Sequence, residues 1–419
     1  MGCPPCPLAL LGGSPGRRPV RGGEPGLPSD KATIVTYPDE FAKREIAELA
    51  SAAGYSVQAL ITQRRVVKSE FGVGVGKAEE LREIVRQNGS KTLIVDESLT
   101  SSQAYKLATV TRVEIVDRDR LILNIFARRA MTTEAKLQVQ LAELRYEIPR
   151  ARDAVRYSVN GERAGFMGLG ETLVDTKFRA LNRRMTSIKA KLARAQSSRS
   201  LHRVERKKLG MPLVSLAGYT SSGKTTLFNR LASETREESP SLFTTLTTTT
   251  RAVSFSDPRK RVMLSDTVGF VSRLPTYMIE SFKSTLEELS YADVVLLMLD
   301  ASEDEEATRI KLNSCRETLA ELGVDPTRIL LVLNKIDLLK DGGGRRIETN
   351  PLFGEFSVAK VSALRGDGLT QLKNRIIQRA YPQEGPRPTA RRPEKGGVQA
   401  AAPSSAAVPE NGLPEIGPH

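Results

Sequence analysis

The chain has 419 residues, 39% of them hydrophobic, which suffices for about two or three folded cores. No apolar run approaches the ~18 residues that a membrane-spanning helix needs, and three cysteines exclude a disulfide framework. The formal net charge of +14 favours a polyanionic partner.

The two ends of the chain are predicted to be disordered. Residues 1–30 are rich in Gly, Pro and Arg, and residues 382–419 are rich in Pro, Ala and Gly. Cys3 and Cys6 form an isolated C-x-x-C pair that we interpret as incidental, and Cys315 is expected in a surface helix at 307–322. We expect a cytoplasmic location, and the N-terminal arginines leave a mitochondrial transit peptide as the alternative.

Residues 31–130 are predicted to form a small α/β domain, because strand-like and helical runs alternate. The predicted strands lie at 33–37, 57–61 and 92–96, and the predicted helices at 41–53, 78–87 and 101–108. A Gly-rich segment at 72–77 ends in Lys77 and could be a second nucleotide site. Its spacing fits neither the P-loop nor the dinucleotide pattern, which favours a loop that enters a helix or touches RNA phosphate.

Residues 131–209 are predicted to form an antiparallel helical hairpin. Apolar residues recur three and four positions apart in two seams. The seams are Leu137, Leu141, Leu144 and Ile148, then Phe178, Leu181, Met185, Ile188, Leu192 and Ala195. A Gly-containing stretch at 149–170 is expected to connect the two helices.

The second helix of this hairpin is strongly basic. Residues 177–208 carry twelve Lys or Arg and one acidic residue, which gives +11 of the net +14. These cations repel one another, so an RNA polyanion is favoured over a merely solvated helix face. The predicted RNA-binding residues are Arg150, Arg152, Arg156 and Arg163 at the tip, and Lys177, Arg179, Arg183, Arg184, Lys189, Lys191 and Arg194 along the helix.

Residues 210–381 are predicted to form a doubly wound, mostly parallel sheet with helices on both faces. A strand at 212–217 leads into G-Y-T-S-S-G-K-T, which has the P-loop spacing G-x-x-x-x-G-K-[ST]. Backbone N–H groups would wrap the phosphates, Lys224 would reach the β and γ oxygens, and Thr225 would ligate Mg²⁺. The predicted phosphate-binding residues are Gly218, Tyr219, Thr220, Ser221, Ser222, Gly223, Lys224, Thr225 and Thr226.

Guanine is expected to be read by N-K-I-D, which follows a predicted strand at 329–333. The Asp337 carboxylate can accept hydrogen bonds from the ring N–H and the amino group of guanine, a donor pair that adenine lacks. Asn334 and Lys335 would brace this loop. The residues predicted to back the base are Ser362, Ala363 and Leu364. GTP and GDP are therefore the expected nucleotides.

Two further segments are expected to sense the γ-phosphate. Asp266 follows a predicted strand at 261–265 and would hold Mg²⁺ through a water, and the Gly269 N–H would meet the γ-phosphate. One threonine of residues 242–251 must also ligate Mg²⁺, and we predict Thr245, which joins Lys224 and Gly269 as the catalytic set. Many GTPases have a water-orienting Gln where this chain has Phe270, so unaided hydrolysis should be slow, on the order of 10⁻⁴ to 10⁻² s⁻¹.

These segments together resemble the HflX family of ribosome-associated translational GTPases, over roughly residues 32–381. The motifs G-Y-T-x-x-G-K-[ST], L-F-x-T-L-x-x-T-x-R, D-T-V-G-F and N-K-[IL]-D all match, and residues 117–130, 136–144 and 168–172 match independently. The resemblance implies hydrolysis of GTP to GDP and phosphate, stimulated by the ribosome. It also implies binding to the large ribosomal subunit through the N-terminal domain and the basic hairpin, with the rRNA of the peptidyl-transferase region as the contact. Splitting of idle or stalled ribosomes is implied as well. We expect a monomer.

The chain departs from the family pattern at Ser221, where relatives usually have an Asn that coordinates K⁺, so potassium stimulation is not carried over. Many bacterial relatives have a further C-terminal domain, and a short form without it is expected here. Two alternatives stay open. One is a GTP-controlled RNA-binding switch or ribosome-assembly factor without splitting activity, and the other is an RNA remodeller that uses ATP bound to the N-terminal domain.

Overall fold

The computed structural model of the chain describes residues 30–64, 69–161, 169–208, 210–233, 242–243, 248–255, 260–339 and 350–382. For residues 152–161, 169–175, 177, 197–208 and 284 it describes the backbone alone. Several predictions therefore lie outside the described residues or side chains: those for the two ends, Cys3, Cys6, Arg152, Arg156, Arg163, Lys177 and Thr245.

A parallel four-stranded sheet with the order β2-β1-β3-β4 forms the N-terminal part. Its strands are β1 (Asp30–Thr36), β2 (Tyr55–Thr62), β3 (Thr92–Val95) and β4 (Glu114–Asp117). Its helices are α1 (Glu40–Ala52), α2 (Val75–Asn88), α3 (Ser101–Thr111) and α4 (Arg118–Arg129). The predicted alternation of strands and helices is confirmed.

The two faces of this sheet are buried under different helices. Side chains alternate across a strand, so the neighbours Ile34 and Val35 point to opposite faces. Ile34 lies in an apolar cluster with α1 and α4, and Val35 lies in one with α2 and α3. Helices on both faces are the usual arrangement for a parallel sheet, whose central strands read as continuous apolar runs.

Two long helices form the predicted hairpin, α5 (Thr133–Gly161) and α6 (Leu169–Lys208). The apolar seams pack as expected around Leu141, Leu144, Ile188 and Leu192. The connection is much shorter than predicted, because α5 continues through Pro149 to Gly161. The apolar seam ends at Ile148, so periodicity could not show the last turns of α5.

A six-stranded sheet with the order β10-β9-β8-β5-β7-β6 forms the second part, and only the β6–β7 pair is antiparallel. Its strands are β5 (Leu213–Gly218), β6 (Thr249–Ser254), β7 (Arg261–Asp266), β8 (Val294–Asp300), β9 (Ile329–Asn334) and β10 (Ser357–Lys360). Its helices are α7 (Lys224–Ala232), α8 (Thr276–Ser281), α9 (Lys283–Ser290), α10 (Glu305–Glu321) and α11 (Leu369–Ala380). The predicted doubly wound fold is confirmed.

One continuous apolar cluster joins the two sheets, and the described residues up to Tyr381 belong to one compact unit. At its centre the ring of Phe126 on α4 meets Phe243 at 4.8 Å and Phe282 at 4.7 Å, both edge-on. In the described parts of the chain, no helix is both long and apolar enough to cross a membrane.

The helix predicted around Cys315 at 307–322 is present as α10 (Glu305–Glu321). Cys315 lies on α10 as predicted, but the thiol faces inward and is fully buried. This burial raises the pKa of the thiol to about 12, so it stays protonated and unreactive at neutral pH.

Candidate nucleotide-binding site

The P-loop lies between the end of β5 and the start of α7, at the carboxyl edge of the second sheet, where ligands of such sheets bind. Two of its glycines are sterically required. A Cβ on Gly218 (φ 146°) would lie 2.3 Å from the Met298 carbonyl oxygen, and one on Gly223 (φ 88°) would lie 2.2 Å from Asn334 Nδ2. Ser221 adopts the left-handed conformation with φ 62°, which is unfavourable for serine.

The Lys224 side chain is buried beneath this loop. Its ammonium donates hydrogen bonds to the carbonyl oxygens of Gly218 (3.1 Å) and Tyr219 (2.7 Å). An ammonium has three donors, so one N–H is left for a phosphate oxygen. Burial lowers the pKa of Lys224 to about 8, against the opposing charge of Asp266. A bound phosphate would supply the negative charge that restores the ammonium.

The residues expected around Mg²⁺ fit that ion. The Thr225 hydroxyl, at the first turn of α7, lies 3.1 Å from Oδ2 of Asp266, at the end of β7. A hydroxyl and a carboxylate side by side are the hard oxygen donors that Mg²⁺ prefers. Bound there, Mg²⁺ would neutralise charge on the phosphate oxygens. Thr245, the third predicted ligand, lies outside the described residues.

The base-recognition residues are connected to the P-loop through Asn334. Its Nδ2 donates to the Ser222 carbonyl at 2.9 Å, and its Oδ1 accepts from the Ala363 N–H at 2.9 Å. This buried amide therefore holds three segments together: the P-loop, the end of β9 and residues 362–364. It is the central connection of the predicted site.

The other base-recognition residues lie around this amide. Lys335 adopts φ 64° and pairs with Asp300 at 2.6 Å. A hydrogen bond from the Ser362 hydroxyl lowers the pKa of the Asp337 carboxyl, which favours the charged form that guanine requires. The side chain of Leu364 is exposed.

The D-T-V-G-F segment is paired directly with the P-loop. The Thr220 N–H donates to the Phe270 carbonyl at 2.8 Å, and the Phe270 N–H donates to the Gly218 carbonyl at 3.0 Å. Gly269 consequently lies over the P-loop, where a Cβ would be 2.9 Å from Thr220 Cγ2 and 3.0 Å from Lys224 Nζ. The predicted γ-phosphate contacts Lys224 and Gly269 are thus neighbours.

The Phe270 side chain is buried in the apolar region between α4 and the helices α8 and α9. Its ring is 1% exposed and lines a small apolar cavity with Phe126, Met278 and Phe282. The residue therefore anchors this segment in the core, a role that a glutamine at the same position could not fill.

Sequence reasoning missed three polar residues near the P-loop: Glu45 on α1 and Ser272 after Phe270, which contact the Tyr219 hydroxyl, and Arg118 on α4, which contacts both of them. All three are buried. One signal was available, because Glu45 falls within the apolar stripe of α1 formed by Ala42, Ile46 and Leu49. A carboxylate in such a stripe needs a buried partner.

The predicted RNA-binding cations of α6 are exposed. Ile188 and Leu192 face α5 and are buried, whereas the described cations lie in solvent. These cations are Arg179, Arg183, Arg184, Lys189, Lys191 and Arg194. A shallow groove of about 440 Å³ beside them is lined by Phe178, Arg179, Asn182, Arg183 and Thr186.

Arg150 does not belong with these exposed cations. It lies within α5 rather than in a tip loop, and its guanidinium pairs with Asp117 and the Leu99 carbonyl and stacks on the Tyr146 ring at 3.6 Å. Its guanidinium is therefore held by contacts within the protein, unlike the exposed cations of α6. Lys77 is likewise engaged, since it pairs with Glu80 at 2.8 Å in the first turn of α2.

The base of the hairpin is bonded to the helices that follow the D-T-V-G-F segment. The Gln138 and Thr285 side chains exchange hydrogen bonds of 2.8 and 3.0 Å, and Gln196 donates to both Glu287 oxygens at 2.8 Å. Arg145 pairs with Glu280 at 2.8 Å. Both hairpin helices are therefore attached to α9.

Known families match along most of the chain. Three family models match: "GTP-binding GTPase N-terminal" at residues 41–127, "GTP-binding GTPase Middle Region" at 129–206 and "50S ribosome-binding GTPase" at 213–335. The GTPase HflX of Thermococcus kodakarensis is 41% identical over 350 residues, 81% of this chain and 78% of the relative. The chain belongs to the HflX family of GTPases.

A second HflX relative and one solved structure are similar to the chain over most of its length. The GTPase HflX of Escherichia coli is 36% identical over 345 residues, 80% of this chain and 78% of the relative. A crystal structure of a GTP-binding protein from Sulfolobus solfataricus in complex with GDP is 26% identical, covers 84% of this chain and 99% of its own, and has a TM-score of 0.45. As an HflX GTPase, the protein binds GTP and hydrolyses it to GDP and phosphate.

Proposed function

We propose that this HflX GTPase binds the large ribosomal subunit and its rRNA through the exposed cations of α6. The observation that carries the proposal is the run of six exposed cations on residues 178–196, which contain no acidic residue. The description of the matching family model, a 50S ribosome-binding GTPase, supports the same partner. We also propose a cytoplasmic location, with a mitochondrial one as the alternative, because ribosomes are present in both compartments.

The exposed positions of these cations favour contacts to phosphate rather than to buried groups. Each lysine or arginine that neutralises a phosphate releases counterions, so binding should weaken steeply with salt. For about five such contacts, the logarithm of affinity should fall with the logarithm of salt concentration with a slope of about −4.

We further propose that ribosome binding stimulates GTP hydrolysis and that the GTP-bound state splits idle or stalled ribosomes. The proposed catalytic set is Lys224, Thr245 and Gly269, with Mg²⁺ held by Thr225, Thr245 and, through a water, Asp266. Phe270 is buried in the core, so a polar group that orients the attacking water must come from elsewhere, and the ribosome is the proposed source.

The first experiment measures GTP turnover with and without purified large subunits. Stimulation of about tenfold or more that is lost in Lys224→Ala supports the proposal. An Arg183→Ala/Arg184→Ala variant should lose the stimulation but keep its intrinsic turnover. The matched control, Arg86→Ala/Arg309→Ala, removes the same charge from two exposed helices far from α6 in sequence and should behave like the parent.

Gradient sedimentation of intact ribosomes then tests splitting directly. With a non-hydrolysable GTP analogue, the parent protein should convert intact ribosomes into subunits, and the Arg183→Ala/Arg184→Ala variant should not. Stable RNA binding without stimulation or splitting would instead identify the second candidate, a GTP-controlled RNA-binding switch or assembly factor. The exposed basic helix would serve that function equally well.

A further inference from the structure

A buried polar network connects the N-terminal part of the chain to the nucleotide site. Its centre is the carboxylate of Glu45 on α1. One oxygen accepts hydrogen bonds from the Tyr219 hydroxyl and from the Ser272 N–H at 2.9 Å. The other accepts from the Ser272 hydroxyl and from the Arg118 guanidinium at 2.7 Å. A single carboxylate thus contacts the P-loop and the segment after Phe270.

Arg118 completes the network from the opposite side. Its guanidinium is 2% exposed and donates to the Ser272 carbonyl at 2.8 Å and to Asp96 at 2.6 Å. Burial disfavours the charge of Arg118, but Glu45 and Asp96 outweigh it and hold the pKa of the guanidinium above its ordinary value. Charge-assisted hydrogen bonds in a buried setting are short and directional, so the network fixes its members closely.

The two GTPase residues in this network are adjacent to the predicted catalytic groups. The Tyr219 carbonyl accepts a hydrogen bond from Lys224, and Ser272 follows Gly269 by three residues. The Tyr219 hydroxyl also accepts from the Ser272 N–H at 2.7 Å. Together with the backbone pairing of Tyr219 and Phe270, these contacts connect the loop that carries Lys224 to the segment that carries Gly269.

We propose that Glu45 is a positioning residue of GTP hydrolysis, which acts through Tyr219 and Ser272. It holds the P-loop and the D-T-V-G-F segment at the separation at which Lys224 and Gly269 both reach the γ-phosphate. GDP has no γ-phosphate, so its binding does not depend on the contact made by Gly269. The effect of Glu45 therefore falls on the rate of hydrolysis and not on the affinity for GDP.

The test uses Glu45→Gln and Tyr219→Phe in the full chain, with single-turnover GTP hydrolysis and GDP titration as the two readouts. Misplacement of a γ-phosphate contact should slow hydrolysis about 10- to 100-fold, whereas GDP affinity should stay within about threefold. The double variant should be no slower than the slower single variant, because both changes break the same connection. Thermal melts establish folding, and if Glu45→Gln does not fold, Tyr219→Phe decides.

The matched control is Tyr277→Phe. Tyr277 also lies at the contact between the two sheets, where its hydroxyl donates to Asp119 on α4 at 3.2 Å, but it does not touch the P-loop. Its loss should leave hydrolysis within about twofold of the parent. Three results would each overturn the proposal. They are equal slowing in Tyr277→Phe, unchanged or faster hydrolysis in Tyr219→Phe, and a loss of GDP affinity in Glu45→Gln or Tyr219→Phe that parallels the loss of hydrolysis.

Discussion

The amide of Asn334 offers the sharpest test of how the nucleotide site is held together. Asn334 is 2% exposed and connects the Ser222 carbonyl with the Ala363 N–H, both at 2.9 Å. Substitution by alanine removes both bonds and leaves a buried acceptor and a buried donor without their partner.

The expected loss of stability follows from the two groups left without a partner, the Ser222 carbonyl and the Ala363 N–H. An unsatisfied buried polar group costs about 1–3 kcal/mol, and some relaxation of each loop will recover part of it. Asn334→Ala should therefore lower the free energy of unfolding of the nucleotide-free protein by about 2–4 kcal/mol. GDP affinity should fall at least about tenfold, because nucleotide binding must then restore the arrangement of the two loops.

Urea denaturation and titration with a fluorescent GDP analogue measure the two effects. The matched control is Asn313→Ala, since Asn313 is exposed on α10, and its changes should stay within about 0.5 kcal/mol. If Asn334→Ala unfolds at the same urea concentration as the Asn313→Ala control and binds GDP equally well, the two hydrogen bonds do not hold the site together.

Three further predictions concern the P-loop and the residue that covers it. Because Ser221 has φ 62°, Ser221→Gly should raise the free energy of unfolding by about 0.5–1 kcal/mol in urea melts. The pKa of Lys224 is lowered to about 8 from 10.5, so GDP affinity should fall as the pH rises above about 8, by at most tenfold per pH unit, and Lys224→Ala should lack this slope. Gly269→Ala would place a Cβ 2.9 Å from Thr220 Cγ2, so single-turnover hydrolysis should slow about tenfold or more while GDP affinity is kept.

The parts of the fold that the sequence predicted are those that depend on local patterns. The P-loop motif is contiguous, and the hairpin seams repeat every three or four residues, so neither needs knowledge of distant contacts. Helix α4 shows the limit. Its residues 121–126 are almost all buried and apolar, because helix and sheet packing surround them, and a helix that is apolar on several sides has little periodicity to detect.

The missed features depend on contacts between residues far apart in the chain. Glu45 and Ser272 are separated by 227 residues, and nothing near either residue in the sequence specifies the other. Arg150 illustrates the same limit for charge. Its sequence neighbourhood resembles the rest of the basic hairpin, but its guanidinium forms an ion pair with Asp117, which lies 33 residues earlier in the chain. A count of charges indicates the class of partner for a surface, whereas burial decides which cations belong to that surface.

The attachment of α9 to both hairpin helices connects the nucleotide-binding part of the chain to the helix proposed to bind RNA. Gln138 on α5 and Gln196 on α6 bond to Thr285 and Glu287, and α9 follows the D-T-V-G-F segment by a short stretch of chain. If loss of the γ-phosphate displaces Gly269, the displacement would reach the base of the hairpin through α9. The exposed face of the second hairpin helix, α6, carries the cations. Linkage then imposes a reciprocal requirement: if GTP changes the affinity of the hairpin for RNA by some factor, RNA must change the affinity for GTP by the same factor. If the affinity for GTP is the same in ribosome-bound and free protein, the connection through α9 does not couple the two sites.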